Sequence, residues 1–100
     1  MKVLIAGAGL GGMTAALALL RRGIDVEVYE QAPELGEIGA GVQIGPNGTR
    51  VLFELGLISE VMDVAFQPKG KELRLWNTGA AWTIFDLGEA SIREYGVPYL

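Results

Sequence analysis

The sequence contains no cysteine and no histidine. Without cysteine there is no disulfide framework, no thiolate metal site and no thiol nucleophile. Without histidine the commonest general base and metal ligand is missing as well. If the protein is an enzyme, its catalysis falls to a bound cofactor, or to an acid and a base carried on chain beyond these residues. Basic charge is also scarce, with 8 Lys and Arg against 12 Asp and Glu and a net charge of -4. Nucleic-acid binding needs a concentrated basic face. The close pairs Arg21-Arg22 and Lys69 with Lys71 read instead as solvated cations. Internal repeats and low-complexity tracts are absent, and half of the 100 residues are hydrophobic, so the composition is that of a small folded domain or part of a larger one.

What is present is concentrated at the amino terminus, in MKVLIAGAGLGGMTAALALLRRGIDVEVYE. Lys2 to Ala6 is short and rich in Val, Leu and Ile, the pattern of a parallel strand buried on both faces. Gly7, Gly9 and Gly12 follow in the spacing G-x-G-x-x-G, with Gly11 as an additional glycine. In that motif the first glycine makes the turn, the second admits a pyrophosphate close to the backbone, and the third lets the helix pack on the strand. The helix is expected over Leu10 to Arg22, closed by a left-handed Gly23, with its free N–H groups at Leu10 to Gly12 facing an anion. Ile24 to Tyr29 alternates as a second strand, and Glu30 stands 18 residues beyond Gly12. An acid near that distance accepts hydrogen bonds from ribose hydroxyls. Two other readings fit parts of this stretch. Val3 to Leu20 is an uncharged run of 18 residues, at the lower limit for a membrane span, and Ala16-Leu17-Ala18 resembles a signal-peptide cleavage site. Both leave the glycine spacing and the strand ending in Glu30 unexplained.

Gln31 to Gly48 is rich in glycine and proline and reads as a long loop, with Ile38, Ala40, Val42 and Ile44 alternating as an extended segment. Helical spacing resumes over Pro46 to Leu55 with Gly56 as the stop, and Ser59 is expected to cap a short helix through Ala65. Arg50 lies near the start of the first of these helices, which suits a cation only if an anion is near; it is otherwise solvated. Lys71 to Trp76 and Ala80 to Leu87 read as a β-hairpin, in which Trp76 and Trp82 could face each other. Glu89 to Leu100 reads as a trailing turn.

The segments GAGLGGMTAALALLRRG and VYEQAPELGEIGAGVQIGPNGTRVLFELGL together resemble the amino-terminal part of the FAD-dependent aromatic hydroxylases, flavoprotein monooxygenases of the salicylate and 3-hydroxybenzoate hydroxylase type. The stretch E-x-A-P-E-x-x-x-x-G-A-G-x-Q is the specific part of the match. The resemblance implies an α/β fold: a Rossmann-like βαβ FAD-binding half-domain over 1–69, then an appended hairpin over 70–100 that begins the substrate-domain segment. It implies that Gly7, Gly9, Leu10, Gly11 and Gly12 wrap the FAD pyrophosphate, that Glu30 holds the ribose, and that Gln31 lies beside the adenine. Ala40, Gly41, Val42 and Gln43 would run past the cofactor toward the flavin. The implied reaction is hydroxylation of a phenolic or aromatic acid, with NADH or NADPH as co-substrate and molecular oxygen as oxidant, in which the flavin does the oxygen chemistry. The family's later arginine and Gly-Asp motif are not in this sequence, so no catalytic residue is assigned and the chain is expected to be a portion of a longer polypeptide. The expected partners are the small aromatic substrate and the remainder of the polypeptide or a complementing chain, with a homodimer as the self-assembly, no nucleic acid and no membrane; the expected compartment is the cytoplasm. No metal site is expected. The alternatives are the NAD(P)-binding domain of a dehydrogenase and a non-catalytic nucleotide-binding module.

Overall fold

The computed structural model describes residues 1–39 and 41–100. The chain divides into two compact units, Met1–Ala40 and Gly41–Leu100.

The first unit is a βαβ unit: β1 (Lys2–Ala6), α1 (Leu10–Leu20) and β2 (Asp25–Tyr29). The strands pair in parallel, Lys2 opposite Asp25 and Ala6 opposite Tyr29. Val3 and Ile5 are half-buried, as are Val26 and Val28, whereas Lys2, Leu4 and Ala6 are exposed. The expectation of a strand covered on both faces is therefore corrected: Leu4 keeps 63% of its surface in solvent. Two strands and one helix can cover only one face of the pair. The open face carries an ion pair between Lys2 and Glu27, and the Tyr29 hydroxyl donates to Glu27 at 2.7 Å.

Helix α1 ends at Leu20, two residues before the expected Arg22. Gly23 closes it at φ 74°. Its N–H donates to Leu20 and that of Ile24 to Leu19, the paired bonds that satisfy the last carbonyls of a helix. Arg22 adds a side-chain bond to the Ala18 carbonyl at 3.1 Å, placing a cation at the negative end of the helix.

The second unit contains α2 (Pro46–Glu54), α3 (Ile58–Val64), β3 (Gly70–Arg74), β4 (Ala81–Asp86) and α4 (Glu89–Tyr95). Its core is Leu52, Val97 and Leu100, with the hydroxyls of Thr49 and Ser91 buried among them. Both hydroxyls donate to the terminal segment, Thr49 to the Pro98 carbonyl at 2.8 Å and Ser91 to the Val97 carbonyl at 3.1 Å. Leu100 exchanges a reciprocal pair of backbone bonds with Ile44, at 2.7 and 3.0 Å. Of the alternating residues, Ile44 is thus paired with Leu100, Ile38 and Val42 are exposed, and Ala40 lies outside the described residues.

Three further expectations are corrected in this unit. Ser59 is not a cap: Leu57 occupies the N-cap position of α3, and the Ser59 hydroxyl points to Glu60 at 3.2 Å. The stretch after Glu89 is a helix, not a turn. An acid in its first turn, Arg93 in its last and a left-handed Gly96 after it favour that helix locally. The hairpin is present and antiparallel, but Trp82 lies opposite Leu73, while Trp76 sits in the turn with 95% of its surface exposed. Lys71 pairs with Phe85 and Glu72 with Thr83, so Ile84 is an extra residue that bulges β4.

Candidate nucleotide site on the glycine turn

The site is built where β1 runs into α1. The Gly7 N–H donates to the Tyr29 carbonyl at 2.6 Å, which ties the turn to the end of β2. Gly7 itself has φ 104°, a conformation in which a side chain would be strained. An ideal Cβ at Gly12 would fall on the Gly7 carbonyl oxygen and close to Ile5, so only glycine lets the helix approach the strand there. The fold thus accounts for the first and third glycines. It does not account for the second or for Gly11. Gly9 has φ -75° and ψ -175°, ordinary extended backbone, and a Cβ at Gly9 or at Gly11 would meet no atom within 4 Å.

Helix α1 begins at Leu10 with Gly9 as N-cap, and no side chain caps it. The N–H groups of Leu10, Gly11 and Gly12 belong to the first turn, where a helix offers no acceptor of its own. Together with the dipole they present a positive patch.

Beside this turn stands Glu30. One carboxylate oxygen accepts from the Ala8 N–H at 2.8 Å and the other from the Ala32 N–H at 3.0 Å. These backbone donors, Ala32 foremost and then Ala8, hold its carboxyl below the usual carboxylate range. Glu30 is therefore an ionised acceptor at neutral pH, and an ionised carboxylate has about four acceptor sites, more than these two bonds use. Ala6, Gly7, Tyr29, Glu30 and Gln31 line a hollow of about 560 Å³.

The structure thus brings Gly7, Gly9, Leu10, Gly11, Gly12, Glu30 and Gln31 together in the first unit. Gly41, Val42 and Gln43 belong to the second unit, and Ala40 lies outside the described residues. Val42 is exposed, and the Gln43 Oε1 accepts from the Tyr99 hydroxyl at 3.3 Å. The larger hollow of the second unit, about 590 Å³ and walled by Arg50, Phe85, Tyr95 and Tyr99 among others, contains none of the expected site residues. Arg50 is exposed, and its Nη2 donates to the Tyr95 carbonyl at 2.5 Å, at the end of α4. The Ala8 N–H and the Tyr29 side chain are site features that the sequence reading missed. The signal for Tyr29 was its place immediately before Glu30.

Among the described residues, no cluster of three or more acidic, histidine or cysteine side chains is arranged to hold a metal ion. No helix of the described residues is long and apolar enough to cross a membrane. The uncharged run Val3 to Leu20 is divided between β1, the glycine turn and α1.

Comparison with known proteins agrees with this geometry. The family described as NAD(P)-binding Rossmann-like domain matches residues 5–58. A 3-amino-4-hydroxybenzoate 2-monooxygenase, PtmB3 of Streptomyces platensis, is 41% identical over 98% of this chain and 25% of its own length. A 3-hydroxybenzoate 6-hydroxylase of Polaromonas naphthalenivorans strain CJ2 is 42% identical over 99% of this chain and 25% of its own length. Among solved structures, Klebsiella pneumoniae HpxO complexed with FAD and uric acid superposes with a TM-score of 0.72 at 30% identity, covering 99% of this chain and 24% of that one. The chain spans about a quarter of the length of the relatives it matches. It belongs to the NAD(P)-binding Rossmann-like domain family, and within that family its relatives are the flavoprotein aromatic-ring monooxygenases.

Proposed function

We propose that this chain is the FAD-binding part of an NAD(P)H- and oxygen-dependent monooxygenase that hydroxylates a phenolic or aromatic acid. The observation that carries the reading is the pair of glycines at which a side chain would meet no protein atom. Glycine inside a helix costs about 0.5–1 kcal/mol relative to alanine. Gly11 incurs that cost although a side chain there would meet open space, and Gly9 likewise faces outward. Bare backbone is useful at these positions if a diphosphate comes close to it.

In this reading Gly7, Gly9, Leu10, Gly11 and Gly12 hold the diphosphate through backbone N–H groups, Glu30 accepts from the adenosine ribose, and Gln31 lies beside the adenine. Gly41, Val42 and Gln43, with Ala40, follow the cofactor toward the flavin, a role that rests on the resemblance to the hydroxylases. FAD, when bound, supplies the electron transfer and oxygen activation. The chain's own work is to orient the nucleotide: Glu30 stays ionised and acceptor-only, which suits a ribose diol and repels a ribose phosphate. The hydroxylating acid and base, the substrate contacts and the choice between NADH and NADPH are assigned to the longer polypeptide, as is cover for the open face of β1 and β2, whether by its remainder, a complementing chain or a homodimer. Residues 70–100 would begin the substrate-domain segment. The proposed compartment is the cytoplasm.

A second reading, the NAD(P)-binding part of a dehydrogenase, is favoured by the description of the matching family. Titration of the protein with FAD and with NAD, followed by flavin fluorescence and by calorimetry, separates the two. Saturable FAD binding that NAD does not displace supports the monooxygenase reading. Affinity for NAD alone would overturn it.

A further inference from the structure

On the open face of β1 and β2 the side chains stand in register: Lys2 with Asp25, Leu4 with Glu27, and Ala6 with Tyr29. The last pair sets the smallest of these six side chains beside the largest, so a methyl floor meets an aromatic wall at the carboxyl end of the strands. The step between them belongs to the hollow of about 560 Å³ that Ala6, Gly7, Tyr29, Glu30 and Gln31 line. The wall is held in place. Tyr29 donates from its hydroxyl to Glu27 at 2.7 Å, and Glu27 is in turn ion-paired with Lys2. A bond to the residue two places back on the same face draws the ring along the strand toward Glu27, which leaves the space over Ala6 open. Tyr29 still keeps 60% of its surface exposed. A ring that is both oriented and uncovered offers its face to another flat group.

The place of the hollow selects that group. It shares Gly7 with the glycine turn and Glu30 with the proposed sugar contact, but none of Gly9 to Gly12 lines it, so it lies on the strand side of Glu30 and away from the helix N-terminus. A nucleotide whose ribose hydroxyls meet Glu30 carries its phosphates on one side of that sugar and its base on the other. With the phosphates at Leu10 to Gly12, the base is directed into the hollow, where floor and wall are both uncharged. We infer that Tyr29 is a base-contacting residue: its ring, set by Glu27 and Lys2, is the face against which the purine of the bound nucleotide rests. This rests on the FAD reading above and adds to it a contact from the residue before the ribose acid.

A base stacked on one exposed ring gains at the lower end of the stacking range, so Tyr29→Leu is expected to weaken binding of ADP, which carries the same base, sugar and diphosphate, about 5- to 20-fold. Tyr29→Phe keeps the ring and loses only its tether, for a change of about 3-fold or less. The test is NMR titration of wild type and both variants with ADP. Amide exchange at Gly7, whose N–H is bonded to the Tyr29 carbonyl, reports whether the turn stays intact. Nuclear Overhauser contacts from the adenine ring protons to the Tyr29 ring, in the wild-type complex, report the stacking directly. The expected result is unchanged exchange at Gly7, a larger loss in Tyr29→Leu than in Tyr29→Phe, and those contacts present. Equal affinity in all three proteins, equal losses in the two variants, a loss accompanied by faster exchange at Gly7, or a saturated complex without the contacts overturns the inference, as does failure of ADP to bind a wild type that binds FAD. If any of these occurs while the wild type binds FAD and Gly9→Ala removes that binding, the nucleotide reading survives without it. If the wild type binds neither FAD nor ADP, both are overturned.

Discussion

The carboxylate of Glu30 and the backbone N–H of Ala8 meet at 2.8 Å, joining the end of β2 to the glycine turn that begins α1. A residue expected to grip a sugar is thus already part of the turn that would hold the neighbouring phosphates. The bond also makes the turn sensitive to pH. Because the folded carboxyl is held low by Ala32 and Ala8, the stabilisation is present above the unfolded pKa, about 4.3 for glutamate, and is lost as pH falls through the lower folded value. An NMR titration of the Glu30 carboxyl carbon should give a midpoint below that of a model peptide. Glu30→Gln should flatten the acid limb of the stability curve, and a midpoint at the ordinary value would contradict the geometry.

Three glycines of the turn should separate by substitution. Gly12→Ala places a methyl on the Gly7 carbonyl and should destabilise the protein by about 1–3 kcal/mol, the usual cost of forcing atoms into a packed contact. Gly9→Ala meets no protein atom but puts alanine at the N-cap of α1, where glycine is preferred, so it should cost about 0.5–1 kcal/mol. Gly11→Ala should raise stability by about 0.5–1 kcal/mol because it removes a glycine from a helix. Chemical denaturation gives the order, and nucleotide titration should give a different one, with Gly9→Ala and Gly11→Ala impaired despite their intact fold. Unchanged affinity in both would remove the main support for a diphosphate at this turn.

How far the sequence discloses this structure depends on the range of the interactions that decide each element. The βαβ unit was legible because its signals are local: a β-branched run, a glycine spacing, a left-handed Gly23, an acid at a known offset. So was the existence of the hairpin. Its register was not, because the turn begins at Trp76 and takes it out of the ladder, while the bulge at Ile84 shifts only the pairs farther from the turn. Arg50 illustrates the same limit. Its helix position raised the question of an anion, but its partner is the Tyr95 carbonyl, 45 residues on. The helix α4 is a different case, since its acidic start, Arg93 and Gly96 were all present in sequence and were outweighed by the turn signal of Gly96 and Pro98.

The exposed Trp76 gives a direct check on the register. With 95% of its surface in water against 53% for Trp82, it should be the tryptophan more readily quenched by acrylamide. Trp76→Ser should change stability by less than about 0.5 kcal/mol. Trp82→Ala removes the partner of Leu73 and should cost about 0.2–1 kcal/mol of cross-strand stabilisation. Equal losses from the two would indicate that the tryptophans pair after all.

Thr49 is the most informative single position in the second unit, because it has no exposed surface and its hydroxyl is the donor to Pro98. Thr49→Val keeps the shape of the side chain but leaves the Pro98 carbonyl without that donor, and an unsatisfied buried acceptor costs about 1–3 kcal/mol. Thr49→Ser keeps the bond and loses one methyl, about 1 kcal/mol or less in a core that partly relaxes. Urea unfolding should therefore rank the stabilities wild type, Thr49→Ser, Thr49→Val. The same order should appear in amide exchange at Leu100, since its bonds to Ile44 depend on the strap that Thr49 anchors. If Thr49→Val proves as stable as Thr49→Ser, the terminal segment is held by apolar burial of Val97 and Leu100, and the hydroxyl contributes little.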